Sequence, residues 1–144
     1  MPSARGERGA AAESYAADAL RKDGYRILLR NHRTPAGELD LVALRRGVFA
    51  FVEVKARRSR RHGPAMESVD ERKQRRLRRG AAAWLAAKPE AARSIRRIRF
   101  DVISCLLAAP GSHDPPQDDR GERVFVSTAP DGTRWWIEHC EGAF

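Results

Sequence analysis

The chain is poor in thiols, in lysine and in long apolar runs. Two cysteines in 144 residues make neither a zinc motif nor a disulfide framework. Cys105 and Cys140 lie far apart and read as reduced thiols. No stretch approaches the roughly 20 apolar residues of a spanning helix, so no membrane is expected as a partner. The N-terminal segment from Met1 to Arg8 is not followed by the apolar core of a secretory signal, and the cytoplasm is the expected location. The four histidines, His32, His62, His113 and His139, are scattered without metal-ligand spacing. No internal repeat is visible.

The scarcity of lysine is the most useful of these absences. Of 28 basic side chains, 24 are Arg and only Lys22, Lys55, Lys73 and Lys88 are Lys. An ammonium is a compact charge whose pKa shifts on burial, which a guanidinium is not. Each Lys is therefore a candidate for a specific role. The net charge of +9 favours a polyanionic partner.

Length and apolar content fit one domain with one sizeable core over residues 1–144. Glu7 to Arg21 reads as a helix, with Glu13, Ala16, Ala17 and Leu20 in a stripe at helical spacing. Tyr25 to Arg30 reads as a strand ending at Asn31-His32. Thr34 to Gly37 is a turn. A hairpin from Glu38 to Ala56 follows, then a basic loop from Arg57 to Pro64. Met66 to Lys88 reads as the longest helix, stopped by Pro89. Its apolar face carries Val69, Leu77, Ala81, Trp84 and Leu85, with Lys73 on that same inward face. Arg72, Arg75, Arg76 and Arg79 cluster on the other side. Ile98 to Leu106 reads as a buried strand. Residues 109–122 have the composition of an exposed, disordered loop. Val124 to Val126 and Trp135 to Ile137 read as a terminal hairpin around Pro130-Asp131-Gly132. Trp135 and Trp136 point to opposite faces of one strand, so only one of them is expected in the core. The order of elements gives an α/β or α+β domain.

The hairpin carries the chemistry. A two-residue turn at Arg46-Gly47 pairs Arg45 with Val48 and so sets Asp40 opposite Glu53, with Cβ atoms roughly 5 Å apart. Lys55 shares the face of Glu53, because side chains alternate along a strand. Two facing carboxylates repel unless a proton or a divalent cation lies between them, and Mg²⁺ (or Mn²⁺) suits two carboxylates plus water. An ammonium beside a metal-bound water orients it for attack on phosphorus. Arg57, Arg58, Arg60 and Arg61 follow Lys55 directly and suit a phosphate backbone. The bland alternative is a strand edge with solvated charges.

Asp40 followed by Glu53-Val54-Lys55 on a hairpin resembles the PD-(D/E)xK superfamily. Longer strings resemble the small bacterial YraN-like family within it: Gly37 to Val42, Phe51 to Arg57, Arg30-Asn31-His32, the helix with Lys73, Arg99 to Val102, and Ile137-Glu138-His139 with Ala143-Phe144. The likeness runs from about Gly9 to Phe144. It implies an α/β fold with a restriction-endonuclease-like core, a central mixed β-sheet flanked by helices. It implies a nuclease site with Asp40 and Glu53 as metal ligands and Lys55 as the catalytic lysine. Glu13 matches a first-helix glutamate that completes the metal site in such proteins; the alternative is a helix-surface glutamate. The superfamily's proline before the first Asp is Leu39 here, and the Pro/Asp-rich stretch from Asp114 to Asp119 is long for the family.

The expected function is an Mg²⁺-dependent DNA endonuclease acting on branched or flapped ends, with DNA favoured over RNA. The alternatives are a nucleic-acid-binding module that keeps the fold without turnover, and a basic scaffold acting on another protein, as a homodimer or otherwise. Lys73 and Arg76 join the arginines after Lys55 as expected nucleic-acid contacts. Lys73 either reaches a phosphate or packs its stem on Leu77 with its head in water. The arginine face of the helix either follows a phosphate backbone or is solvated.

Overall fold

The Arg46–Gly47 turn fixes the centre of the molecule. In the computed structural model, which describes residues 4–35, 37–57, 69–109, 111–112 and 123–144, both turn residues take left-handed φ, at 50° and 78°. That is the geometry of the tight hairpin turns whose twist matches the flanking strands. It joins β2 (Gly37–Arg45) to β3 (Val48–Arg57). Arg45 pairs with Val48, and the ladder runs to Leu41 opposite Val52. The expected register is thus the observed one.

Six strands form one mixed sheet in the order β1-β2-β3-β4-β6-β5, with β1 at Arg26–Thr34, β4 at Arg97–Leu107, β5 at Arg123–Thr128 and β6 at Arg134–Cys140. Only β3 and β4 run parallel. The crossover between them carries α2 (Glu71–Ala86) and the short α3 (Pro89–Arg93). The first helix, α1 (Ala4–Lys22), precedes β1.

The two long helices cover opposite faces. The small residues Ala12, Ala16 and Ala17 let α1 approach Leu41, Ala43, Ala50, Val52, Ile103 and Cys105 closely. Trp84 of α2 packs against Phe49 and Phe51, with ring centroids 6.3 and 6.0 Å away. Leu77 meets Val69 and Val102 further along that face. Gly80 gives room on α2: a Cβ there would lie 3.3 Å from the Leu39 side chain.

Four sequence expectations are corrected. The helix expected to be the longest begins at Glu71, not Met66, because the Asp70 carboxylate caps it by accepting from the Lys73 amide at 2.8 Å, and its 16 residues are fewer than the 19 of α1. Pro89 does not merely stop that helix; it opens α3 from the first-turn position that tolerates proline. The first strand does not end at Asn31-His32 but continues to Thr34, with Asn31 at a φ of 47°. Trp135 and Trp136 are both buried, at 7% and 3% exposure, since both faces of β6 are covered. The expected phosphate contacts Arg58, Arg60 and Arg61 and most of the expected 109–122 loop lie outside the described residues.

Trp84→Ala removes the ring that joins α2 to the Phe49–Phe51 face. The expected loss is about 3–5 kcal/mol of unfolding free energy, read from urea denaturation of the variant against the parent chain.

Candidate active site

The site lies where β2 and β3 part. The last hairpin pair is Leu41 with Val52. One step beyond, Asp40 stops following the ladder and uses its side chain instead: Oδ2 accepts the Val54 amide at 2.9 Å. A side chain thereby satisfies a backbone donor that the separating strands leave open. Glu53 is held on the other strand, opposite Val102 in the parallel ladder with β4. Its side chain is only 8% exposed.

Two ammonium groups converge on this buried carboxylate. Lys55 Nζ lies 3.4 Å from Glu53 Oε1. Lys73, from the first turn of α2, makes an ion pair with the same oxygen. Lys73 therefore points inward, as its place between Val69 and Leu77 predicts. Its head is directed at a carboxylate, however, and not at solvent.

Burial and charge set the protonation of this group. Burial, then the neighbouring Glu53 charge, push the Asp40 carboxyl from an ordinary 3.8 up to about 7. The Val54 hydrogen bond only partly opposes them. Burial also pushes the Lys55 ammonium below its ordinary value, helped by the hydrogen bond with Lys73. For Lys73 burial acts in the same downward sense. The hydrogen bonds with Glu53 and Lys55 outweigh it, and the ammonium rises above its ordinary value. Lys73 is thus the lysine that keeps its proton, and Lys55 the one that gives it up more readily.

Glu13 comes from α1, on the other layer, and is half-buried. Burial raises its pKa; the Arg30 charge opposes, while Glu38 and Glu53 add to the rise. Glu13 feels the site's charge without joining its closest set. Among the described residues, the trio of potential metal ligands with atoms within 4.8 Å of one another is Asp23, His139 and Glu141, not Glu13, Asp40 and Glu53. Arg57 ends β3 in a half-buried position, and Arg72, Arg75, Arg76 and Arg79 are exposed on α2.

The sequence pattern missed a second polar centre, on the α1 face of the sheet. Asp101 is fully buried opposite Val52. It accepts two bonds from Arg99, each 2.8 Å, one from the Gly142 amide at 2.9 Å, and pairs with His139 Nε2 at 2.8 Å. Burial raises the Asp101 pKa, but the bonds from His139 and Arg99 outweigh it and hold the carboxyl below its ordinary value. Arg99, Asp101 and His139 lie in two of the strings that resemble the YraN-like family, Arg99 to Val102 and Ile137-Glu138-His139, but nothing local joins those strings to each other.

This frame matches known sequences. Residues 12–105 match the model of the uncharacterised protein family UPF0102. The chain belongs to the UPF0102 family. This is the YraN family that the hairpin strings resemble, a branch of the restriction-endonuclease-like superfamily. A UPF0102 protein of Moorella thermoacetica is 44% identical over 124 residues, which is 86% of this chain and 92% of the relative. One from Bradyrhizobium diazoefficiens is 49% identical over 104 residues, 72% of this chain and 73% of the relative. One from Magnetococcus marinus is 45% identical over 105 residues, 73% of this chain and 83% of the relative. The UPF0102 match contains the whole hairpin, Lys73 and Asp101, and ends before β6.

The raised Asp40 pKa has a consequence for stability. The folded chain holds this proton up to about 7, whereas the unfolded chain releases it near 3.8. Folding stability contributed by this group is therefore full at low pH and lost as pH rises through that window. Asp40→Asn keeps an acceptor for Val54 and removes the titration. It should stabilise the fold by up to about 4 kcal/mol near pH 8 and by well under about 1 kcal/mol near pH 4, read from paired thermal melts.

Proposed function

We propose that this protein is a divalent-metal-dependent nuclease that hydrolyses phosphodiester bonds in DNA. The observation that carries the reading is the convergence of Asp40, Glu53 and Lys55 at the strand fork. Two carboxylates share one buried space, and one ammonium beside them has a lowered pKa. Nucleases place a metal, a water and a proton acceptor in such a space.

The residues fit a hard cation. A carboxyl at about 7 beside a second carboxylate is one that a divalent cation would deprotonate, because the cation supplies the positive charge that the proton supplies otherwise. Asp40 and Glu53 would hold Mg²⁺ or Mn²⁺, with Glu13 as an outlying third carboxylate. Bound there, the ion would lower the pKa of a coordinated water and stabilise charge on a phosphoryl oxygen.

The chain's own residues do the rest. Lys55 Nζ, its pKa lowered by burial, accepts or orients the proton of the attacking water. Lys73 stays charged and holds Glu53 in place until the anionic substrate arrives. Arg57, with Arg58, Arg60 and Arg61 after it, offers guanidinium forks to backbone phosphates. Arg76 and its exposed neighbours on α2 offer further positive charge for a phosphate backbone. No sequence-reading element follows from the sequence, so structural features such as branches or flaps are the favoured targets, and DNA is favoured over RNA.

One observation favours a second reading, a nucleic-acid-binding module without turnover. Glu53 already has two ammonium partners, so its charge is balanced without a metal. In that reading Lys55 and Lys73 serve phosphate binding alone.

Cleavage of a panel of flapped, branched and linear DNAs with Mg²⁺ or Mn²⁺ separates the two. The nuclease reading expects metal-dependent cleavage that falls at least about 100-fold in Asp40→Ala, Glu53→Gln and Lys55→Ala. DNA binding that needs no metal, with no cleavage in the parent chain, supports the second reading.

A further inference from the structure

We infer that Asp23, the Nδ1 atom of His139 and Glu141 form a second metal site, for a divalent transition-metal ion such as Zn²⁺, separate from the strand fork. This inference does not rest on the nuclease reading.

The first observation is proximity. One ligand atom from each of these three residues lies within 4.8 Å of the others. They come from distant parts of the chain: Asp23 from the turn after α1, His139 from β6, and Glu141 from the turn after β6. A chance cluster of exposed acids would look different, since the His139 side chain is 1% and the Asp23 side chain 8% exposed.

The second observation is the state of His139. Its Nε2 lies 2.8 Å from Asp101 Oδ2. Asp101 is held as a carboxylate by Arg99 and the Gly142 amide, so it can only accept, and the imidazole proton belongs on Nε2. Nδ1 is the ring nitrogen left for another partner. Nδ1 is buried and has no hydrogen-bond partner among the described residues. A buried ring nitrogen without a partner is costly in either protonation state, and a metal ion can take the place of a proton there. A carboxylate behind a metal-ligating histidine is also the usual outer shell, fixing the tautomer and raising the basicity of the ligand.

Charge allows the ion. Asp23, Glu141 and Asp101 face Arg45 and Arg99. Arg45 Nη1 lies 3.2 Å from Asp23 Oδ2 and Nη2 4.0 Å from Glu141, while Arg99 Nη1 lies 3.3 Å from Glu141 Oε2. Three carboxylates against two guanidinium groups leave an excess of negative charge around the imidazole ring. A carboxylate has lone pairs enough to keep its arginine and still offer an oxygen to a metal. One nitrogen and two oxygen donors, with water completing the shell, suit Zn²⁺ and its first-row neighbours better than Mg²⁺. Bound there, the ion would tie the α1–β1 turn to the C-terminal turn. That turn precedes Ala143, whose amide bonds Phe100 O at 2.8 Å, and Phe144, which stacks on Phe100 at 5.3 Å.

The test titrates Zn²⁺ and Co²⁺ into the full chain carrying Asp40→Asn, which weakens the strand fork as a competing site. Calorimetry, melting temperature and the cobalt spectrum are the readouts. The expected result is one Zn²⁺ per chain, a raised melting temperature, and a cobalt spectrum without thiolate charge-transfer bands. Adding Glu141→Gln, at a half-exposed position, should leave the metal-free melt intact and weaken Zn²⁺ binding at least about 10-fold; Asp23→Asn should weaken Zn²⁺ binding as much, with a lower metal-free melt because it also loses the Arg45 ion pair. No binding in the Asp40→Asn chain overturns the site. Binding that survives both further variants, or a cobalt spectrum dominated by thiolate from Cys105 or Cys140, overturns it as well.

Discussion

The register of one hairpin governs the chemistry of this fold. A left-handed two-residue turn permits only one alignment of β2 with β3. That alignment sets Asp40 beside Glu53, and a slip of one residue would send them to opposite faces. The strands then separate at the point where the acids meet. Asp40 closes the gap by accepting the Val54 amide, so the same carboxyl is both a structural bridge and a titrating group. A buried pair of acids is tolerable only with compensating charge. Lys55 from the same strand and Lys73 from α2 provide it.

The two helices explain why this polar group can be so well buried. The alanine-rich face of α1 seals one side of the sheet, and the Trp84–Leu77 face of α2 seals the other. Glu53 and Asp101 are neighbours across adjacent strands, yet they face opposite layers, since Glu53 pairs with Val102 and Asp101 with Val52. One sheet thus carries two charge centres back to back. The α2 side is rich in ammonium. The α1 side holds guanidinium, imidazole and carboxylate. The chain's preference for Arg makes the contrast sharper, because half of its lysines lie in the first centre.

Much of this was legible in the residues. Alternation and turn chemistry gave the hairpin, its register and the shared face of Glu53 and Lys55. Helical spacing placed Lys73 inward. What stayed hidden depended on contacts between segments far apart in sequence. Nothing local tells that Lys73 meets Glu53, or that Arg99, Asp101, Tyr25 and His139 form one network. Tyr25 and Arg99, joined by a 2.6 Å hydrogen bond, carry no spacing signal at all. The burial of both Trp135 and Trp136 was missed for the same reason, since a strand pattern shows alternation but not whether each face is covered.

In the proposed function, the Asp40 carboxyl beside Glu53 holds a proton that a divalent cation would displace. Carbon-detected NMR of the Asp40 carboxyl, titrated with and without Mg²⁺, tests it most directly. The expected result is a midpoint near 7 without the ion, moving to lower pH as Mg²⁺ is added. A midpoint near 3.8, the ordinary value, or one that does not move with Mg²⁺, would contradict it.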